Sequence, residues 1–308
     1  MERNGFWGQP KQLRITIITL CVAALVQGWN QTASNGANLN WPEQLGLGKL
    51  VGCDPRGRAA WIFAVVNASS YLSASLVGCW LSDPLSESFA GRRGPIFFSA
   101  ILGLASVIGA AGVATWPQLL VCRILLGIGM GCKASIVPVF AAEVSPAHIR
   151  GSLVMNWQIF DALGIFLGFT ANLILSRTGY SAWRWQTASS ALPTIVLLTL
   201  IYVCPESPRF LMKRNKYQDA YKTLVLLRGH PILAAKELFY IACQMEVEQH
   251  APMHGDSESL ARPTARPNKA QASYVAAYFR KVGQLFTVPR IRRALVAAVV
   301  CMITQQLW

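Results

Sequence analysis

Residues 117–151 read PQLLVCRILLGIGMGCKASIVPVFAAEVSPAHIRG, and this stretch decides the fold. Its first part, 117–141, is an apolar run interrupted by only two charges, Arg123 and Lys133. A helix needs roughly 20 apolar residues to cross a bilayer core about 30 Å thick, so the run reads as a membrane span. Gly127 and Gly131, four residues apart, are the small side chains that let helices approach closely in lipid. The run closes on a turn in which Glu143 and Arg150 bracket Ser145 and Pro146, placing an acid and a base at one membrane face.

Working outward, five further runs of the same kind lie at about 14–32, 59–82, 95–115, 152–175 and 187–204. A seventh begins near Ala294 and stops at Trp308, so the chain is expected to be truncated after the start of that helix. Of the 308 residues, 53% are hydrophobic and only 14% charged, where a soluble domain carries roughly 25% charged residues. Water-soluble enzymes, disordered chains and all-β sandwiches are excluded, and the fold class is all-α integral membrane. The eight cysteines are scattered singly without a CxxC pair, which gives no metal-ligand spacing and no disulfide framework.

Three regions follow: a six-helix transmembrane bundle over 1–204, a cytoplasmic amphipathic segment over 205–293, and the partial seventh helix over 294–308. Within the middle region, Arg209 to Arg228 reads as one amphipathic helix, and Ala234 to Glu248 and Tyr274 to Phe286 as two more. The Pro-, Ser- and charge-rich piece 250–272 reads as a flexible linker. With the N-terminus inside, Arg3, Lys11, Arg14, Arg92, Arg93, Arg150 and the 15 basic residues of 205–293 share the inner side. Only Lys49, Arg56, Arg58, Arg177 and Arg184 then lie outside, which satisfies the positive-inside bias. The net charge of +14 belongs to those loops, and nucleic acid is not an expected partner.

Three clusters carry the chemistry. Asp83, followed by Gly91-Arg92-Arg93-Gly94, can bridge a cytoplasmic turn through charge-assisted bidentate hydrogen bonds, or the arginines can serve only as membrane anchors. Pro205-Glu206-Ser207-Pro208-Arg209 ends the sixth run with another acid and base at the same face. Lys133 and Asp161 each lie about nine residues from the inner end of their run, roughly 13 Å deep at 1.5 Å per residue. They are predicted to face each other, as an ion pair or across a polar cavity, because an intramembrane charge needs a partner or a function.

The Asp83…Gly91-Arg92-Arg93 loop, Arg123…Gly127-x-Gly129, Glu143…Arg150-Gly151, Pro205-Glu206-Ser207-Pro208-Arg209 and Gln305-Gln306-Leu307 together resemble the sugar porter family of the major facilitator superfamily, particularly its fungal members. The resemblance implies the N-terminal six-helix half of a transporter that moves a sugar or polyol by alternating access, without cofactor, metal or catalytic residue. It assigns Asp83, Arg92, Arg93, Glu143, Arg150, Glu206 and Arg209 to an inner-gate network. It also makes Gln305 and Gln306 sugar contacts, and amide chemistry adds Gln158 and Asn30 to the candidates, with Asp161 beside them.

Two departures stand out. Where proton-coupled relatives commonly carry Asp on helix one, this chain has Asn30, which cannot titrate: either Asp161 carries the driving proton instead, or the protein is a facilitator or sensor, or coupling is lost. The loop between Asp83 and Gly91 is longer than the family spacing. The expected setting is a multi-pass position, the plasma membrane, with a small sugar or polyol and protons as partners beside the lipid. A half-length sugar sensor or regulator that does not transport, or a non-functional truncated product, is the rival reading.

Overall fold

The computed structural model describes residues 8–48, 57–87, 91–147, 149–250, 283 and 292–300, with only the backbone of 247–250. The described chain is helical throughout: α1 (Lys11–Ala37), α2 (Trp41–Gln44), α3 (Arg58–Ser73), α4 (Cys79–Leu85), α5 (Arg93–Ala111), α6 (Trp116–Val144), α7 (Arg150–Leu175), α8 (Ala182–Ser189), α9 (Ala191–Val203), α10 (Pro208–Lys213), α11 (Tyr217–Arg228) and α12 (Pro231–His250). A π-helical turn, Ala74–Gly78, joins α3 to α4 in one continuous rod. Residues up to His250 form one compact unit and those from Ala251 a second, in which 292–300 are helical.

Five helical stretches are long and apolar enough to cross a bilayer, the last being the 54 residues Arg150–Val203. A straight helix of that length would run about 80 Å, far beyond one crossing. At Gly179 the backbone turns to φ 78° and ψ −137°, and α8 and α9 return beside α1 and α5. The second break, at Ser190, precedes Pro193, whose ring and missing N–H cannot bond the Ser189 carbonyl. Six crossings result, as the six apolar runs predict.

Helix α1 is the axis of the bundle, lying along α7 and touching α6, α8 and α9. Gly28 and Gly164 make that approach possible. A Cβ at Gly164 would stand 3.0 Å from the Leu25 Cα, and one at Gly28 would stand 2.8 Å from the Ile165 backbone nitrogen. The glycines of α6 serve two neighbours. Gly131 is pressed against Cys79 and Gly78, and Gly127 against Ser70, whereas Gly129 meets Ser99 of α5. Packing, the role read from their spacing, is what they do.

Two apolar clusters close the ends of the bundle. Leu13, Ile17, Ile96, Phe140, Leu197 and Ile201 fill one end, and Leu227 of α11 packs into the same cluster. Trp41, Val66, Leu119 and Trp183 fill the other. The outer face of α7 leaves Met155, Ile159, Phe166 and Leu173 exposed, the surface a hydrocarbon solvent tolerates.

The amphipathic segment departs from its expected form. Instead of one helix from Arg209 to Arg228 there are two, because α10 ends at Lys213 and Asn215 takes a left-handed φ of 58°. Asparagine adopts that conformation more readily than most residues, and the Lys216 N–H closes the end by donating to the Leu211 carbonyl at 3.0 Å. Ser207 caps α10 and Gly229, at φ 73°, ends α11. The predicted helix at 234–248 is observed as Pro231–His250. The 274–286 helix and the rest of the 250–272 linker lie outside the described residues apart from Gly283 and His250.

Candidate functional site

Four chain segments meet at the end of the bundle that carries Arg92. Arg92 opens α5 and reaches Glu143 at the close of α6 with two hydrogen bonds, Nε to Oε2 at 3.1 Å and Nη2 to Oε1 at 2.7 Å. Its Nη1 donates to Ser86 at 2.7 Å, and Ser207 donates to the same Glu143 at 2.6 Å. Glu206 completes the ring by accepting from the backbone N–H groups of Arg92 at 2.7 Å and Ser207 at 2.9 Å. Gly91 has to be glycine here, since its φ is 64° and a Cβ would strike the Glu206 carboxylate.

Burial pushes the Glu206 carboxyl above its usual range, and the backbone donors of Ser207, Arg92 and Arg93 with the Arg93 charge pull it back only in part. Arg93 itself crosses to the end of α9, donating to the carbonyls of Ile201 at 2.8 Å and Tyr202 at 2.9 Å, where a cation suits the helix C-terminus. A second clamp lies beside the first. Arg228 of α11 holds Glu237 of α12 through Nη2 at 2.6 Å and donates from Nη1 to the Val144 carbonyl of α6 at 2.9 Å.

Two expectations change at this end. Asp83 is exposed and forms no ion pair among the described residues, and Glu143 takes the Arg92 guanidinium instead. Arg150 is also exposed, with no described ion pair, whereas Arg209 is half-buried. Ser86, Ser207 and Arg228 are contributors that charge patterning alone passes over. Ser207 could have been found from its place between Glu206 and the helix-opening Pro208.

In the middle of the bundle the polar groups behave differently. Lys133 of α6 is fully buried, and the Asp161 carboxylate of α7 is the charge that acts on it. No ion pair within 4.0 Å joins them, so the direct salt bridge, one of the two expected arrangements, is not formed. Asp161 is half-buried, sits where α7 crosses Gly28, and has one oxygen buried without a hydrogen-bond partner. Buried carbonyl oxygens of Gln27 and Asn30 and the Ser70 hydroxyl are likewise unpartnered.

Between α1, α3 and α6 a cavity of about 30 Å³ is lined by Asn30, Ser34, Asn35, Asn67, Ser70 and Arg123, among others. Gln158 projects from the exposed part of α7, away from this cavity. Gln305 and Gln306 lie outside the described residues. Further out, Asn172 donates to the Thr32 carbonyl at 2.6 Å and Gln186 donates to the Asn172 carbonyl at 3.1 Å, a polar rung joining α1, α7 and α8. Among the described residues no three His, Cys, Asp or Glu side chains are grouped to hold a metal.

A bundle of six crossings, tied by charge at one end and polar in its middle, defines half of a major facilitator-type membrane transporter. The comparison with solved structures carries that class: the partially occluded inward-open xylose transporter XylE from E. coli superposes with a TM-score of 0.70 and 25% identity, over 78% of this chain and 60% of that one. The profile of the "Sugar (and other) transporter" family matches residues 16–308, and the chain belongs to that family, one of transporters rather than enzymes. The myo-inositol transporter FST1 of Gibberella moniliformis is 29% identical over 98% of this chain and 47% of its own length. The arabinose-proton symporter of Bacillus subtilis is 33% identical over 64% of this chain and 43% of its own. The chain thus spans about half the length of the curated relatives it matches.

Proposed function

We propose that this chain supplies the N-terminal half of a sugar or polyol pathway that works by alternating access in the plasma membrane, with the Arg92 end cytoplasmic. The observation that carries the reading is the contrast in polar satisfaction along the bundle. The Arg92, Glu143, Glu206 and Ser207 cluster is closed on itself, whereas Gln27, Asn30, Ser70 and Asp161 keep buried oxygens unpartnered in the middle. Buried polar atoms are nearly always hydrogen-bonded, and solute hydroxyls, which donate and accept, are the complement that such oxygens lack.

The closed cluster, with Arg93 and Arg209, acts as the inner gate: it holds α5, α6 and the 205–209 turn together until the solute-loaded half rocks. Asp161 carries the driving proton in this reading. It is the one carboxylate among the described residues that lies away from the helix ends of the bundle, with the buried Lys133 of α6 as the charge nearest to act on it. Gln158 on α7, and Gln305 and Gln306 by the motif they carry, are each candidates for sugar contacts. Relatives described as a myo-inositol transporter and as an arabinose-proton symporter favour a neutral polyhydroxylated solute and a proton.

The test is uptake of labelled hexoses, pentoses and polyols, myo-inositol among them, by transporter-deficient cells expressing the chain, with membrane abundance measured in parallel. Saturable uptake that an uncoupler abolishes is expected, with Asp161→Asn retaining exchange and losing accumulation. Membrane-resident protein that neither binds nor moves any of these solutes would overturn the reading.

A further inference from the structure

Arg123 is the buried cation of this bundle that has no counter-charge. Lys133 faces Asp161, Arg92 holds Glu143, Arg93 lies beside Glu206, and Arg228 holds Glu237. Arg123 is only 4% exposed, and no carboxylate of the described residues lies within ion-pair distance of it. Its one described hydrogen bond is a long donation to the Ser34 carbonyl, at 3.4 Å. A guanidinium is a permanent cation with five donors, and leaving it unpaired in a low-dielectric interior carries a large penalty.

The guanidinium borders the cavity of about 30 Å³ between α1, α3 and α6, above the roughly 10–15 Å³ that a cavity needs to hold a water molecule. Asn30 and Ser70, themselves buried, each present an oxygen to this region that has no partner. The Ser70 hydroxyl can turn to donate, and the Asn30 and Asn67 amides carry N–H groups as well as oxygens. A site with a fixed positive charge, a ring of neutral donors and room for one small group matches a single negative charge.

We propose that the Arg123 cavity is a binding site for a small monovalent anionic group, either a free halide or the carboxylate of a polyhydroxy acid. Asn30 is what leaves it open. A carboxylate at that position would sit in the same cavity as Arg123 and neutralise it from within; an amide supplies hydrogen bonds and no charge. The site stands on the cavity itself and holds whether or not the chain moves a neutral sugar.

The purified 308-residue chain in lipid nanodiscs tests this. Thermal midpoint and tryptophan fluorescence are followed on titration with sodium chloride, sodium gluconate and sorbitol, with sodium sulfate, a divalent anion, holding ionic strength constant. Saturable stabilisation by chloride identifies the free halide. Stabilisation by gluconate that sorbitol does not reproduce identifies the carboxylate of a solute. In both cases Arg123→Gln should weaken the apparent affinity by about tenfold or more, the scale of a lost hydrogen bond to a charged group.

Asn30→Asp provides the second reading and keeps Arg123 in place. It should raise the midpoint in the absence of anion and remove the anion response. The proposal is overturned if neither chloride nor gluconate acts beyond sulfate and sorbitol, or if Arg123→Gln or Asn30→Asp responds as the parent does. Stabilisation by sorbitol and gluconate alike, without any by chloride, would leave polyol transport standing and remove only the anion.

Discussion

The gate and the middle of the bundle are built from the same kinds of side chain and treat them in opposite ways. At the Arg92 end a guanidinium, the Glu143 carboxylate and two serine hydroxyls satisfy one another within 3.1 Å, and backbone N–H groups satisfy Glu206. In the middle, Lys133 and Asp161 stand apart, Arg123 has one long bond, and the oxygens of Gln27, Asn30 and Ser70 have none. A satisfied network is a lock, whose energy is spent when it is opened. An unsatisfied one is a receptor, whose energy becomes available when something arrives. A transporter half needs both, separated along the membrane normal so that opening one can follow filling the other.

The gate gives the largest effect by which this contrast can be broken. Glu143→Ala leaves Arg92 without its carboxylate at side-chain exposures of 15% and 9%, and loss of one partner of a buried pair costs about 3 kcal/mol. A fall in thermal midpoint is expected, together with new accessibility of the gate to thiol reagents. Glu143→Gln, which keeps the acceptor for Ser207, should lose less.

In the middle, Lys133→Met or Asp161→Asn alone strands a charge, whereas the double variant strands none. Each single change should cost more than the pair. A coupling of about 1 kcal/mol between the two is expected in a double-mutant cycle on nanodisc stability. Strict additivity would mean that the two charges do not sense each other.

Smaller again is the polar rung. Asn172→Ala removes the donation to Thr32 and leaves the apolar packing, a loss of about 0.6 kcal/mol for an interhelical hydrogen bond in a membrane. It should loosen α1 against α7 in hydrogen exchange and leave the gate untouched.

The least costly change sharpens the contrast through pH. Because the folded state raises the Glu206 pKa, its contribution to stability is full below the unfolded carboxyl pKa and fades as pH rises through the folded value. Glu206→Gln, always neutral and still an acceptor, should flatten stability over that acid window and cost little elsewhere. An unchanged pH profile would show that another group sets it.

Much of this was legible from residues alone, for physical reasons that also mark where legibility ends. Hydrocarbon imposes long apolar runs, so the six crossings are written in composition; Gly127 and Gly131 announce close packing by their spacing. Glu143 and Arg92 are visible as charges at helix ends, but which acid meets which base emerges only in the assembled fold, where Asp83 is exposed and Glu143 holds the guanidinium. The split at Asn215 hangs on one backbone angle that periodicity does not encode. Arg123 was visible only as a motif residue. That it lacks a counter-charge emerges once α1, α3 and α6 are assembled and their amides are found around it.

The separation of lock and receptor is tested most directly by two-sided labelling of a single cysteine at Asn67, in a chain whose eight native cysteines are replaced by alanine. With the gate intact, a membrane-impermeant thiol reagent should reach that position from the face opposite Arg92 and not from the Arg92 face. Adding Glu143→Ala should admit the reagent from the Arg92 face. Equal labelling from both faces with the gate intact, or no change when Glu143 is removed, would contradict it.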